Sequence, residues 1–217
     1  MSLPVALHNY RYSVYGRIAE MALLEKGITY STVETVPFSG MLSSDYLAMH
    51  PFGRVPLLIH GQFEVYETVA ITRYVDLAFS GPSLLPTQPK EMARMIQLIS
   101  IVDNYCYWPM VRQVCSHRVF RPFFDEQFSE DEISSGMQAA EKALTAIENI
   151  ANEQLILDGT HITLADCHLA PIIGYFIESP EGAEAVARHS ALQNWWELVS
   201  KRPSAKVASL NLAAEQT

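Results

Sequence analysis

Four short stretches hold residues whose types and spacing could do chemistry. Ser13 follows an apolar strand candidate, Val5-Ala6-Leu7-His8, and stands just before residues at helical spacing. That is an N-cap position, where a side-chain oxygen accepts a backbone N–H and the hydroxyl faces the positive end of the helix dipole. Ser13 is either a plain cap or a cap that also serves an anion. Glu67-Thr68 opens a second helical stretch. Unpaired N–H groups at a helix start suit a carboxylate, and Glu67 could receive an ammonium beside it. The alternative there is an ordinary helix start with a dipole-favoured acid. Val55-Pro56 leads into a strand, and since only about 5–6 % of X–Pro bonds are cis, trans is expected from sequence alone. Thr163-Leu164-Ala165-Asp166 has the form of a capping box with Asp in place of Glu or Gln, and Ile162 and Cys167 stand at staple positions. This last motif reads as structural: it should nucleate a core helix.

The elements that must position these residues follow from local patterns. After the first strand, Ile18, Met21, Ala22, Leu24 and Glu25 recur at helical spacing, and Gly27 marks the stop. Ile28 to Val33 is rich in β-branched and aromatic residues and reads as a second strand. A short helix over Ser44–Met49 comes next. Strands over Pro56–Ile59 and Phe63–Tyr66 are joined tightly through His60-Gly61-Gln62, and a helix runs from about Glu67 to Phe79. The order β-α-β-α-β-β-α gives a mixed sheet, its first two strands parallel and its last two antiparallel.

Residues 81–89 read as a linker, since the stretch from Ser80 to Pro89 holds three prolines and a glycine. Beyond it every regular segment looks helical. Long helices are expected over about 90–120, interrupted and kinked at Pro109, and over about 129–151, with further starts near Thr163, Glu181 and Ala191. The domains are therefore 1–80, an α/β unit, and 90–217, an all-helical one. The smaller is marginal alone by surface-to-volume scaling, so the linker should be a short crossing.

Composition bounds the function. The 217 residues are 49 % hydrophobic and 18 % charged, with a net charge of −9. That balance disfavours disorder and nucleic acid, whose phosphates attract Lys and Arg. No apolar run is long enough to span a membrane, and Met1 to Leu7 does not read as a secretory signal. A soluble cytoplasmic protein is the expectation. Cys106, Cys115 and Cys167 are too dispersed for a disulfide framework or a zinc site, and read as buried free thiols.

Taken together, these segments resemble the cytosolic glutathione transferase family along nearly the whole chain. The resemblance rests on Ala22-Leu23-Leu24-Glu25-Lys26-Gly27-Ile28, His50-Pro51-Phe52-Gly53-Arg54-Val55-Pro56-Leu57-Leu58 and Val65-Tyr66-Glu67-Thr68-Val69-Ala70-Ile71. Thr163 to Cys167 with Ala170-Pro171, and Trp195-Trp196 followed by Lys201-Arg202-Pro203, extend it. The middle segment looks most like the serine-type classes, the plant phi-like and related bacterial enzymes.

The resemblance implies a thioredoxin-like domain that holds glutathione as co-substrate and a helical domain that presents a small hydrophobic electrophile. Ser13 would be the catalytic serine, with Tyr10 its competitor because tyrosine-type classes use a Tyr at the end of the first strand. Val55 would pair its backbone with the glutathione cysteine, Pro56 would be a cis-proline, and Glu67 and Thr68 would hold the γ-glutamyl end. Met41-Leu42 stands where phi-like enzymes carry a His-Lys pair for the glycine carboxylate, and Arg54, which replaces a commonly seen glutamine at its own position, could compensate. Tyr15, Tyr105, Tyr107, Trp108, Val111 and Arg112 are candidates for the electrophile pocket, with domain-interface core as the other reading of that stripe. A homodimer without metal is implied. A non-catalytic binding or regulatory protein, and a glutathione-dependent isomerase or peroxidase, remain open on the same scaffold.

Overall fold

A computed structural model describes residues 3–38, 40, 42–210 and 212. The chain divides into two compact units, one ending at Leu84 and the other beginning at Leu85.

In the first unit the elements are β1 (Val5–Asn9), α1 (Val14–Glu25), β2 (Ser31–Glu34), α2 (Ser44–Met49), β3 (Leu57–His60), β4 (Phe63–Tyr66) and α3 (Thr68–Ala78). The sheet order is β2-β1-β3-β4, with β1 parallel to β2 and antiparallel to β3, and β3 antiparallel to β4. The parallel and antiparallel pairs expected from the sequence are both present. Leu7, Leu57 and Leu58 from the sheet, Ile18, Met21, Ala22 and Leu23 from α1, and Ile71 and Val75 from α3 are fully buried and form the core.

One boundary differs from the sequence reading. The second strand begins at Ser31, three residues later than the β-rich run suggests. The Gly27 N–H bonds to Leu24 O and the Ile28 N–H to Leu23 O, closing α1 in a Schellman motif with Gly27 at φ 69°. Ile28 is thereby consumed by the helix end, and the Tyr30 hydroxyl is held by Glu20 at 2.8 Å. The same helix end carries a buried ion pair. Lys26 Nζ reaches Asp76 Oδ1 at 3.1 Å and Pro82 O at 2.9 Å, while the Leu84 N–H donates to Asp76 Oδ1 at 2.7 Å. Both side chains are nearly inaccessible, so the chain leaving this unit is fixed to α1 and α3.

The second unit contains α4 (Pro89–Ile101), a π-helical run (Val102–Phe120), the short α5 turn (Arg121–Phe123), α6 (Glu130–Asn152), α7 (Leu164–Phe176), α8 (Pro180–Ala187), α9 (Ser190–Val199) and α10 (Pro203–Val207). Pro109 does not interrupt the helix, contrary to the sequence expectation. A proline ring clashes with the carbonyl four residues back, and the wider π register that surrounds Pro109 relieves that clash. Gly136 on α6 permits a close approach, because a Cβ there would lie 2.8 Å from Gln113 Cβ and 2.9 Å from Pro109 O. Every residue of α7 is buried, which makes it the axis of this unit. Among the described residues no helix is long and apolar enough to cross a membrane.

Candidate functional site

Strand register assembles the site. Across the first unit His8 pairs with Leu57, and Leu57 with Tyr66. The C-terminal end of β1, the N-terminal end of β3 and the C-terminal end of β4 therefore share one end of the sheet. With strands spaced about 4.8 Å apart, the three span on the order of 10 Å. The chain continues from that end into Ser13, arrives at it through Val55-Pro56, and leaves it through Glu67-Thr68. Two helices, α1 and α3, begin there. Their first N–H groups lack partners within the helix and favour anions.

Ser13 caps α1 in extended geometry, its Oγ accepting the Gly16 N–H at 3.1 Å. As an acceptor it keeps its own proton, for which no acceptor occurs among the described residues. The Ser13 N–H is anchored to Tyr10 O at 2.7 Å. Gly16 is what lets the helix start so close to the sheet, since any Cβ there would overlap the Asn9 side chain. Asn9 is buried, and its Oδ1 accepts the Tyr10 N–H at 2.8 Å. Tyr10 stands before the cap and packs edge-on against Tyr12, with centroids 5.3 Å apart, and against Phe38 at 6.3 Å. Tyr15 is half-buried on the first turn of α1.

The other two arms are equally constrained. Val55-Pro56 is cis, as the resemblance implies and against the expectation from sequence statistics. The carbonyl of Arg54 accepts a 2.6 Å bond from the Tyr46 hydroxyl, and its exposed guanidinium lies 5.9 Å from the Phe38 ring centroid. Glu67 adopts φ 68° and ψ 118°, a conformation that costs a non-glycine residue on the order of 1–3 kcal/mol. It is the N-cap of α3 through its carbonyl, which accepts the Ile71 N–H, while its side chain makes no cap bond and is exposed. Strain of this kind persists where surrounding structure overdetermines it, and it marks functional turns. Thr68 is buried at the first position of α3. Leu42 is half-buried, and Met41 lies outside the described residues.

In the second unit Tyr105 and Trp108 are exposed at 64 % and 60 %, Arg112 is exposed, Tyr107 is half-buried and Val111 is buried. The five thus divide between the surface and the packed side of the π-helical run. Thr163 and Asp166 form the expected capping box of α7. The three cysteines are free and buried, and burial pushes the Cys106 thiol up to about 12, away from reactivity. Among the described residues no group of His, Cys, Asp and Glu could hold a metal.

Sequence reasoning missed three residues here. Gly16 gave no signal beyond an isolated glycine in a helix. Tyr46 and His50 form the ring column that links the Arg54 and Tyr66 arms. His50 lies between Tyr66 (4.6 Å, 27°) and Tyr46 (6.2 Å, 22°).

Both units of the chain match known proteins. Residues 7–83 match the family model of the glutathione S-transferase N-terminal domain, and residues 107–203 that of the C-terminal domain. Glutathione S-transferase F10 of Arabidopsis thaliana is 27 % identical over 194 residues, covering 88 % of this chain and 90 % of its own. Glutathione S-transferase 4 of Zea mays is 29 % identical over 210 residues, with 94 % and 92 % covered. A theta class glutathione S-transferase from Xanthomonas axonopodis pv. citri, solved with glutathione bound, superposes with a TM-score of 0.81 at 23 % identity, covering 96 % of this chain and 98 % of that one.

Proposed function

The chain belongs to the glutathione S-transferase family, and we propose that its N-terminal unit binds glutathione as co-substrate and sets the thiolate against a small hydrophobic electrophile. The observation that carries this reading is the Ser13 hydroxyl. It accepts from Gly16 and keeps its proton, at the sheet end where the Val55 and Glu67 arms also meet.

A free cysteine thiol has a pKa of about 8.5, so only a few per cent is anionic at neutral pH. Lowering it by roughly two units takes about 2.7 kcal/mol of preference for the anion. A helix N-terminus supplies typically 0.3–1 kcal/mol, and about 2 in a partly buried site. A hydroxyl donor to a charged acceptor adds about 1.5–3 kcal/mol. Neither suffices reliably alone; together they can. Ser13 is accordingly a hydrogen-bond donor to the glutathione sulfur and not itself a nucleophile.

In the same proposal the Val55 backbone pairs with the cysteinyl residue of glutathione. Glu67 takes the γ-glutamyl ammonium, and Thr68 with the α3 N–H groups takes the adjacent carboxylate. Arg54 supplies the positive charge for the glycine carboxylate. Residues 1–80 form the glutathione domain, and 90–217 the domain that presents the electrophile. Tyr15, Tyr105, Tyr107, Trp108, Val111 and Arg112 are the proposed electrophile contacts, in a homodimer located in the cytoplasm.

A conjugation assay on wild type, Ser13→Ala and Tyr10→Phe tests this. Loss of the Ser13 donor should cost on the order of tenfold to a thousandfold in kcat/KM, while Tyr10→Phe stays within about threefold, far below a lost donor. The reverse ordering would make Tyr10 the thiolate partner. Retention on immobilised glutathione without conjugation across a broad electrophile panel would instead establish a binding protein.

A further inference from the structure

His50 is 2 % exposed, yet its Nδ1 has no hydrogen-bond partner. An orphaned buried polar atom costs about 1–3 kcal/mol, so the ring's position is held by something else. It ends α2, its N–H bonded to Tyr46 O at 2.8 Å and its carbonyl accepting the Gly53 N–H at 2.9 Å. The ring lies near-parallel between those of Tyr46 and Tyr66, with Phe52 edge-on at 6.4 Å. Tyr46 grips the carbonyl of Arg54, next to Val55, and Tyr66 immediately precedes the strained Glu67. The column Tyr46–His50–Tyr66 therefore ties one proposed glutathione arm to the other.

The ring also feels charge. Burial lowers the His50 pKa, the Glu67 carboxylate pulls it back up, and Arg54 adds to the lowering. Glu67 and Arg54 are the charged groups facing it; Tyr46, Phe52 and Tyr66 supply the walls. At neutral pH the imidazole is uncharged, and the Glu67 carboxylate keeps its full field.

We propose that His50 is a positioning residue of the glutathione amine site: stacked on Tyr66 it fixes Glu67, and in its neutral form it leaves the Glu67 carboxylate to the γ-glutamyl ammonium. Protonated, it would compete with that ammonium for the same carboxylate and repel it. The inference rests on the assignment of Glu67 to the glutathione amine.

Calorimetric titration of the full chain between pH 5 and 8 tests it. The probes are S-methylglutathione, whose blocked sulfur cannot ionise, and S-methyl-glutaryl-cysteinylglycine, the same molecule without its amine. Wild type should bind S-methylglutathione three- to tenfold more weakly at pH 5 than at pH 7, while the deaminated probe changes by less than twofold. His50→Asn, which is polar but does not titrate, should flatten the S-methylglutathione profile to within twofold. His50→Ala, which loses both the stack and the titrating ring, should weaken binding of the amine-bearing probe at least tenfold at pH 7 and give a flat profile. His50→Phe, which keeps the stack, should restore binding at pH 7 to within threefold. A His50→Asn profile as steep as wild type, or an unchanged dissociation constant in His50→Ala, would overturn the role of His50 and leave the glutathione reading standing. Failure of wild type to bind glutathione at millimolar concentration would overturn both.

Discussion

At the start of α1, the Ser13 hydroxyl takes one bond from the Gly16 N–H and, among the described residues, has no acceptor for its own proton. At the start of α7, Asp166 Oδ2 accepts both the Thr163 N–H and the Thr163 hydroxyl at 2.8 Å, and Oδ1 accepts the Trp195 indole N–H at 2.7 Å. Ser13 is half-buried at a sheet end where two other arms converge. Asp166 is fully buried, and desolvation pushes its carboxyl up while those hydrogen bonds pull it back. Both helix starts use the same local chemistry, a short side-chain acceptor on an orphan N–H. What separates them is spare bonding capacity. The α7 cap has spent its acceptors on its own chain, whereas the α1 cap retains a donor.

The strongest way to break that contrast is to remove the exhausted cap. Asp166→Ala leaves the Thr163 N–H and the Trp195 indole N–H without acceptors in a dry interior, at about 1–3 kcal/mol each. Urea unfolding should show a loss of about 3–5 kcal/mol. Conjugation per folded molecule, measured well below the melting temperature, should stay within about twofold because the change lies outside the transition-state contacts. A stable Asp166→Ala protein with depressed kcat/KM would erase the distinction.

Gly16→Ala attacks the open cap from behind. The new methyl overlaps the Asn9 side chain, so either Asn9 swings out or the first turn of α1 retreats from β1. Overpacking of this kind costs about 1–3 kcal/mol. The displaced Ser13 donor should add a loss of roughly tenfold to a hundredfold in kcat/KM, since a shift of about 1 Å is that expensive in a positioned site. Equal stability loss with wild-type turnover would mean that the placement of the α1 start is not critical.

Legibility in the sequence followed the range of the forces involved. The helix Ser44–Met49 and the strand Phe63–Tyr66 were readable to the residue, because the Ser43 cap and the two-residue turn Gly61-Gln62 set their ends locally. Ser13 was readable as a cap for the same reason. Ile28 was not, since its β-branched side chain advertises a strand while its N–H closes the preceding helix. Pro109 announced a break, and only the packing of the surrounding π-helical run and α6 shows why the helix continues. The Lys26–Asp76 pair joins residues 50 positions apart and leaves no local trace. The positive φ of Glu67 was equally silent, because glutamate is not a residue that signals a left-handed turn.

A smaller effect separates the two helix starts by pH. His168, fully buried on α7 two residues after Asp166, has its pKa lowered to about 3 by desolvation. The unfolded chain protonates this histidine near 6.5 and the folded chain does not, so the unfolded state binds more protons as pH falls between those values. Stability must therefore decline through that window, by about 2 kcal/mol at pH 5 relative to pH 7. Asp166 works in the other direction. Its raised pKa means that acidification relieves a buried charge, which offsets the loss at the acid end. In urea titrations at pH 5 and pH 7, His168→Gln should shrink the difference by most of that 2 kcal/mol, and Ser13→Ala should leave it intact. An undiminished acid loss in His168→Gln would mean that the imidazole in α7 is already protonated in the folded chain, and the packed helix start would then be less dry than its burial implies.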